Sequence, residues 1–292
     1  AGSDDEAPKD AKKGHLCQYS TSGNGFVPTT STTSSLTPGC YSIAVTMQGE
    51  VLFTKQNLVT DELLRLPDSK SDEVVEEIQK FWTLKTKFKH YGFAHKRGFL
   101  LWGSPGSGKS STILIAIEDM IKSGGVIFIA DHPAMLAKAL REFREIEPNR
   151  PLVVILEDID TIIQNYGEST VLSILDGESQ VENVVFIATT NYPERLDGRV
   201  INRPSRFDKV VKIGMPNAAA REMYLRSKLE VTVHQDIDLV AATEGLSIAH
   251  IKELIIAVFC QENPVKEVLA RLEKMRKKPT SDSEIPVMGM GL

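Results

Sequence analysis

Cysteine is scarce in this chain: Cys17, Cys40 and Cys260 are three residues among 292, none in C-x-x-C spacing and none beside a histidine cluster. That pattern excludes a disulfide framework and a thiolate metal site, leaving unpaired thiols of a reducing compartment. Long apolar runs are also missing. No stretch approaches the roughly 20 residues a membrane-spanning helix needs. The opening residues, AGSDDEAPKDAKK, are acidic and polar, without the apolar core of a secretory leader. Basic charge is not in excess. The 34 Lys and Arg face 39 Asp and Glu, a net charge of -5, which argues against coating nucleic acid by bulk charge. A local basic groove stays compatible with that balance. Together these absences lead us to expect a soluble, cytoplasmic protein with no membrane partner.

What is present is globular: 41% of residues are hydrophobic and 25% charged. The length suits about two domains. Residues 1–38 are rich in Ser, Thr, Gly, Asp and Lys with no hydrophobic period, so we expect a disordered tail there. Residues 39–70 read as a hairpin and linker, from two β-rich runs in CYSIAVTMQGEVLFT around a Gln-Gly-Glu turn. A helix should follow in SDEVVEEIQKFWTLKTKF, capped by Ser71, with Val74, Ile78, Phe81 and Trp82 on its core face. Apolar runs at 99–102, 126–130, 152–156, 184–189 and 209–213 have the composition of buried parallel strands. Helical stretches KSSTILIAIEDMIKS, PAMLAKALREF and GESTVLSILDG separate the first four. The expected fold is α/β over residues 71–215, a parallel five-stranded sheet with helices on both faces. Beyond residue 216 strand signals vanish, and four helical stretches suggest a small all-helical lid domain over 216–278, then a flexible tail, 279–292.

GSPGSGKS, from Gly103 to Ser110, fits G-x-x-x-x-G-K-[ST] and lies after a strand and before a helix. Gly106 and Gly108 let the backbone curl so that successive N–H groups face an anion, with the helix's positive end aimed at the same point. Ser104, Pro105 and Ser107 complete the loop and Ser111 extends it into the helix. Lys109 brings a point charge to the β- and γ-phosphates of a bound nucleotide, and the Ser110 hydroxyl suits Mg²⁺. A second strand ends in acids, LVVILEDID. At the same carboxyl edge of a parallel sheet, Glu157 and Asp158 are placed to hold Mg²⁺ and an attacking water. In such pairs the usual order is Asp then Glu. Here it is reversed, so Glu157 falls nearer the metal and the shorter Asp158 orients water. Asn191 directly follows a third strand, where its amide suits the γ-phosphate or the water. In NRPSRFD, Arg203 and Arg206 flank the stiff Pro204, and planar guanidinium groups suit phosphate recognition from a neighbouring subunit. The alternative for these arginines is a surface ion pair with an acid such as Asp208. Arg199 and Arg221 read as ordinary surface residues.

As a set, GSPGSGKS, VVILEDID, LSILDG, FIATTN, RPSRFD and TEGLSIAHIKEL resemble the AAA clade of P-loop ATPases, from about residue 70 to 260. Within it they look most like the group of the mitochondrial Rieske-protein translocase, which shares the Glu-Asp order, and soluble AAA ATPases of bacteria and their phages. The resemblance implies ATP and Mg²⁺ as cofactors and a ring, hexameric or similar, of identical subunits. It implies Lys109 and Ser110 on phosphate and metal, Glu157 and Asp158 as the acidic pair, and Asn191 as the γ-phosphate sensor. Arg203 and Arg206 would reach the next subunit's ATP. The departures concern the client. The interval between the second and third strands lacks the aromatic-apolar-Gly tripeptide of chain-threading members, and Tyr166-Gly167 reads as a connecting turn before a second pore loop. Ala249 and His250 stand where other clades place a lid arginine.

The leading expectation is thus an ATP-hydrolysing remodeller of protein clients. Two alternatives stay open: a nucleotide-gated scaffold with little turnover, and a nucleic-acid motor or loader, the latter disfavoured by net charge and the lack of a DNA-binding motif.

Overall fold

The computed structural model describes residues 18–22, 25–29, 32–57, 64, 66, 70–176, 181–201 and 206–276. The final tail expected at 279–292 and Arg203 lie outside them. Contacts divide the chain into two units, 1–37 and 38–292.

In the first unit, part of the expected disordered tail is a hairpin. Strands β1 (Gln18–Ser22) and β2 (Gly25–Thr29) pair antiparallel with Gln18 opposite Thr29. Their Tyr, Thr, Phe and Val residues are strand formers whose propensity acts without a long hydrophobic period.

The second unit is built on a sheet wider than five strands. The hairpin strands β3 (Gly39–Val45) and β4 (Val51–Gln56) belong to it. So do β5 (Lys96–Trp102), β6 (Val126–Ile129), β7 (Leu152–Leu156), β8 (Val184–Thr190) and β9 (Lys209–Lys212). The spatial order is β4-β3-β6-β7-β8-β5-β9, parallel apart from the antiparallel edge strand β4. The hairpin enters because β3 pairs parallel with β6, Gly39 opposite Val126, and its Cys40 is buried in the core. Every residue of β7 and β8 is buried, as strands covered on both faces require.

Strand alternation sorts the core into two layers. Phe99, Leu101, Ile127, Val153, Ile155, Val185 and Ile187 share a cluster with helices α1 (Lys70–Thr83) and α3 (Lys109–Lys122). Opposite-parity Phe128 packs edge-on against Phe143 of α4 (Pro133–Ile146), ring centroids 5.1 Å apart. The helix expected from residue 71 is two: α1 ends at Thr83, and α2 (Lys85–His90) follows Leu84. Ser71 is no cap. It lies inside α1, buried, with its hydroxyl 2.6 Å from that of Thr112 on α3. After β7 come α5 (Ile159–Tyr166), too short to announce itself by periodicity, and α6 (Glu168–Asp176). Gly167 between them, at φ +84°, makes the expected connecting turn. Helix α7 (Gly198–Ile201) follows β8.

The lid comprises α8 (Ala218–Lys228), α9 (Leu239–Ala242), α10 (Ile248–Ile255) running into a π-helical turn at Ile256–Cys260, and α11 (Val265–Arg276). It is helical except for a two-residue ladder, β10 (Val233–His234) with β11 (Ile237–Asp238). Leu225, Leu239, Ile251, Leu254 and Leu272 form its own core, all at 0% exposure. Arg221 is not a surface residue. It is 6% exposed and donates to the carbonyls of Pro216 and Val240, joining the start of α8 to α9. Among the described residues no helix is long and apolar enough to cross a membrane.

Candidate active site

Sheet order brings the predicted residues together. β7, β8 and β5 are neighbours, and their carboxyl ends carry the acids, Asn191 and the glycine-rich loop respectively. The register places Leu156 beside Ala188 and Trp102 beside Thr190, so the three loops emerge at one edge.

The loop curls because two glycines take left-handed backbone, Gly106 at φ +75° and Gly108 at φ +106°. A side chain on Gly106 would come within 2.6 Å of the Ser247 hydroxyl, so the lid already sits against the loop. Gly108 immediately precedes α3, whose first N–H groups have no intrahelical acceptor and face the cleft. Lys109 is 8% exposed; its Nζ donates to the carbonyls of Gly103 (2.7 Å) and Ser104 (3.2 Å) and to Asn191 Oδ1 (2.7 Å). Asn191 Nδ2 donates in turn to Asp158 Oδ1 at 3.3 Å. One chain of polar contacts thus joins the three strand ends. Burial holds the Lys109 ammonium below the usual lysine range, partly opposed by the negative charge of Asp158.

The acids divide clearly in conformation. Glu157 and Asp158 are both exposed on the cleft, but Asp158 has left-handed backbone, φ 48° and ψ 55°. For an L residue this is an uncommon state that Asp and Asn tolerate best. Its N–H donates to Thr189 Oγ1 at 3.1 Å, which holds the turn. That bend aims the short carboxylate at Asn191. The neighbouring Thr190 hydroxyl donates to buried Asp160 at 2.7 Å and accepts from Tyr192 N, fixing the backbone on both sides of Asn191.

The cleft runs between sheet edge and lid. Its polar half, about 590 Å³, is lined by Lys109, Ser110, Glu157, Asp158, Asn191 and Lys252. Its more apolar half, about 370 Å³, includes Leu64, Leu66, Ile115, Met215, Tyr224 and Ile248. Gly108, Ser111, Tyr224 and Ile248 line both. His250 instead bonds Ser247 Oγ at 2.6 Å, and Ala249 and Lys252 face the polar half. Sequence reasoning missed Leu64, Leu66, Met215, Tyr224 and Lys252. Their spacing in the sequence carries no common signal, since the lid and linker meet the sheet only in three dimensions. Thr189 and Thr190 were legible in part: two hydroxyls before a strand-end Asn have one residue directed to each face.

Of the two predicted arginines, Arg203 lies outside the described residues and Arg206 does not line this cleft. Arg206 is 5% exposed and grips Asp176, Nε to Oδ1 and Nη2 to Oδ2 each at 2.7 Å. Its partner is therefore an acid, though not Asp208, which pairs with Arg97 at 3.6 Å. Arg199 is exposed and pairs with Asp197 (3.2 Å) and Glu168 (3.6 Å).

The residues present fit a Mg²⁺–nucleoside triphosphate: a curled cradle, a buried lysine, a first-turn hydroxyl and two carboxylates on one cleft. The Ser107 hydroxyl, buried in the loop with no hydrogen-bond partner, is a further polar group at the cradle. Among the described residues no cluster of three or more His, Cys, Asp or Glu could hold a metal ion.

Residues 99–215 match the family described as ATPase family associated with various cellular activities (AAA). The chain is also similar to the YME1 subunit of the mitochondrial inner membrane i-AAA protease supercomplex of Saccharomyces cerevisiae, 29% identical over 256 residues. That similarity covers 80% of this chain and 34% of the relative, so the chain spans about a third of the relative's length. Residues 99–215, which carry the glycine-rich loop, Glu157, Asp158 and Asn191, thus match an AAA-family ATPase domain.

Proposed function

We propose that this chain binds ATP in the cleft between sheet and lid and hydrolyses it, within a ring of identical subunits that remodels a protein client. The observation that carries the reading is the contact chain Lys109–Asn191–Asp158 across three adjacent strand ends. The apolar half of the cleft suits a nucleobase, with Tyr224, Ile248, Leu64 and Leu66 closing over it. The polar half suits the triphosphate. Lys109 neutralises the β- and γ-phosphates from within the loop. Ser110 and Glu157 would hold Mg²⁺, which supplies charge neutralisation on the phosphate oxygens. Asp158 orients the attacking water and accepts its proton, and Asn191 aligns that carboxylate with the γ-phosphate.

The bend at Asp158 supports this division of labour. A carboxylate one methylene shorter than Glu reaches Asn191 because its own backbone turns toward the cleft. A site with reversed acids is thereby arranged for turnover, which favours an ATPase over a nucleotide-gated scaffold. The matched relative is a subunit of a protease supercomplex, and a third of its length gives no ground for proteolysis here. Arginine donation from a neighbouring subunit follows from the resemblance and makes the ring necessary: a lone subunit leaves its phosphate site incomplete. Phosphate release by the wild type and by Asp158→Asn decides the reading. We expect ATP affinity within about twofold and turnover lower by about a hundredfold or more, the scale of a lost general base. Equal rates would return the chain to the scaffold reading.

A further inference from the structure

Arg206 and Asp176, with side chains 5% and 31% exposed, form an ion pair that the cleft does not use. Three of the five guanidinium N–H bonds have acceptors within the subunit. Nε and Nη2 meet the two oxygens of Asp176, and Nη1 donates to the Arg199 carbonyl at 2.5 Å. Asp176 closes α6, and Arg199 lies on α7, so one side chain ties two helices together. The backbone of Arg206 is held as firmly. Its carbonyl lies against Gly98 of β5, where even a Cβ would come within 1.9 Å of that oxygen. Two residues on, Asp208 N donates to Gly98 O at 2.9 Å, and Asp208 Oδ2 accepts from Gly98 N at 2.9 Å.

The side-on bidentate edge of this guanidinium, Nε with Nη2, is occupied by a carboxylate of its own subunit. To grip a phosphate on another subunit with that edge, Arg206 would have to abandon Asp176 and leave a carboxylate behind. The pair holds the Arg206 guanidinium more firmly protonated than usual, chiefly through the bond to Asp176.

We propose that Arg206 is a positioning residue acting inside its own subunit, with Asp176 as its partner, rather than a charge donated to the neighbour's ATP. Arg206 anchors the end of the segment to α6, α7 and β5. This rests on the ATPase reading above and refines it.

The discriminating variants are Asp176→Asn, Arg206→Gln and the pair together, in the full chain. A clamp requires that Asp176→Asn lower kcat about as much as Arg206→Gln, on the order of tenfold or more for a displaced catalytic group. It also requires that the double variant be no worse than either single, and that ATP affinity stay unchanged. Unassembled subunits should show the same coupling in thermal midpoint. The charge exchange Asp176→Arg with Arg206→Asp should recover part of the lost turnover. A trans donor behaves differently: Asp176→Asn would keep wild-type turnover while Arg206→Gln abolished it and left the midpoint of the unassembled subunit unchanged. That result would overturn the proposal. If the wild type itself released no phosphate, the ATPase reading would fall. The coupled midpoints would still report whether the clamp exists.

Discussion

Asp158, the proposed water-orienting acid, sits at a single left-handed backbone turn. Its left-handed conformation is tolerated by Asn nearly as well as by Asp, so Asp158→Asn removes a charge without unbending the turn. Asp158→Ala has no such tolerance and should also lower stability, by about 1 kcal/mol in denaturant unfolding. Lys109 adds a pH dependence. Burial holds its proton less tightly than in an exposed lysine, and the protonated form is the one that attracts phosphate. As pH rises through that depressed value the charge is lost. Nucleotide affinity should therefore weaken at lower pH than an unperturbed lysine, at about 10.4, would allow. A dissociation constant flat from about pH 7 to that value would contradict the assignment. The gathering of these residues at one cleft was legible because residue type marks the positions: a lysine after glycines, acids after an apolar strand, an amide at the next strand end. The partners of Arg206 and Arg221 were not. Asp176 lies 30 residues before Arg206, and Val240 lies 19 after Arg221, distances that carry no periodic signal.

Elements succeed or fail in the sequence by length and by partner. β7 and β8 announce themselves as unbroken apolar runs, and all their residues are buried. The β3–β4 hairpin was visible, yet its pairing with β6 was not, because strand neighbours are chosen by tertiary contact. α5, eight residues long, falls below the span over which helical period can be read. At the far edge of the sheet, Arg144 joins elements that the sequence separates. It donates to the carbonyls of Glu147 (3.0 Å), Arg150 (2.7 Å) and Asn183 (2.9 Å), and burial pushes it down to about 10. Arg144→Gln should cost about 3 kcal/mol of unfolding free energy, from charged hydrogen bonds lost in a desolvated place. A cost below about 0.5 kcal/mol would place Arg144 among ordinary surface residues.

Across the whole molecule the nucleotide cleft is bordered by sheet edge, linker and lid. Leu64 and Leu66 pack against the lid core while also lining the apolar half of the cleft. Ser247 at the start of α10 approaches Gly106 of the loop. A ligand bridging these parts favours one lid position, and under the proposed function that linkage would give hydrolysis a mechanical output. Arg206, the described arginine of NRPSRFD, does not line this cleft, and under the proposed function a neighbouring subunit supplies the missing arginine. The most direct test is specific phosphate release across a dilution series of the wild-type chain, with oligomeric state read by light scattering in the same samples. Turnover per subunit should be negligible for monomers and rise to a plateau as assemblies form. Full turnover in samples that remain strictly monomeric would contradict the account.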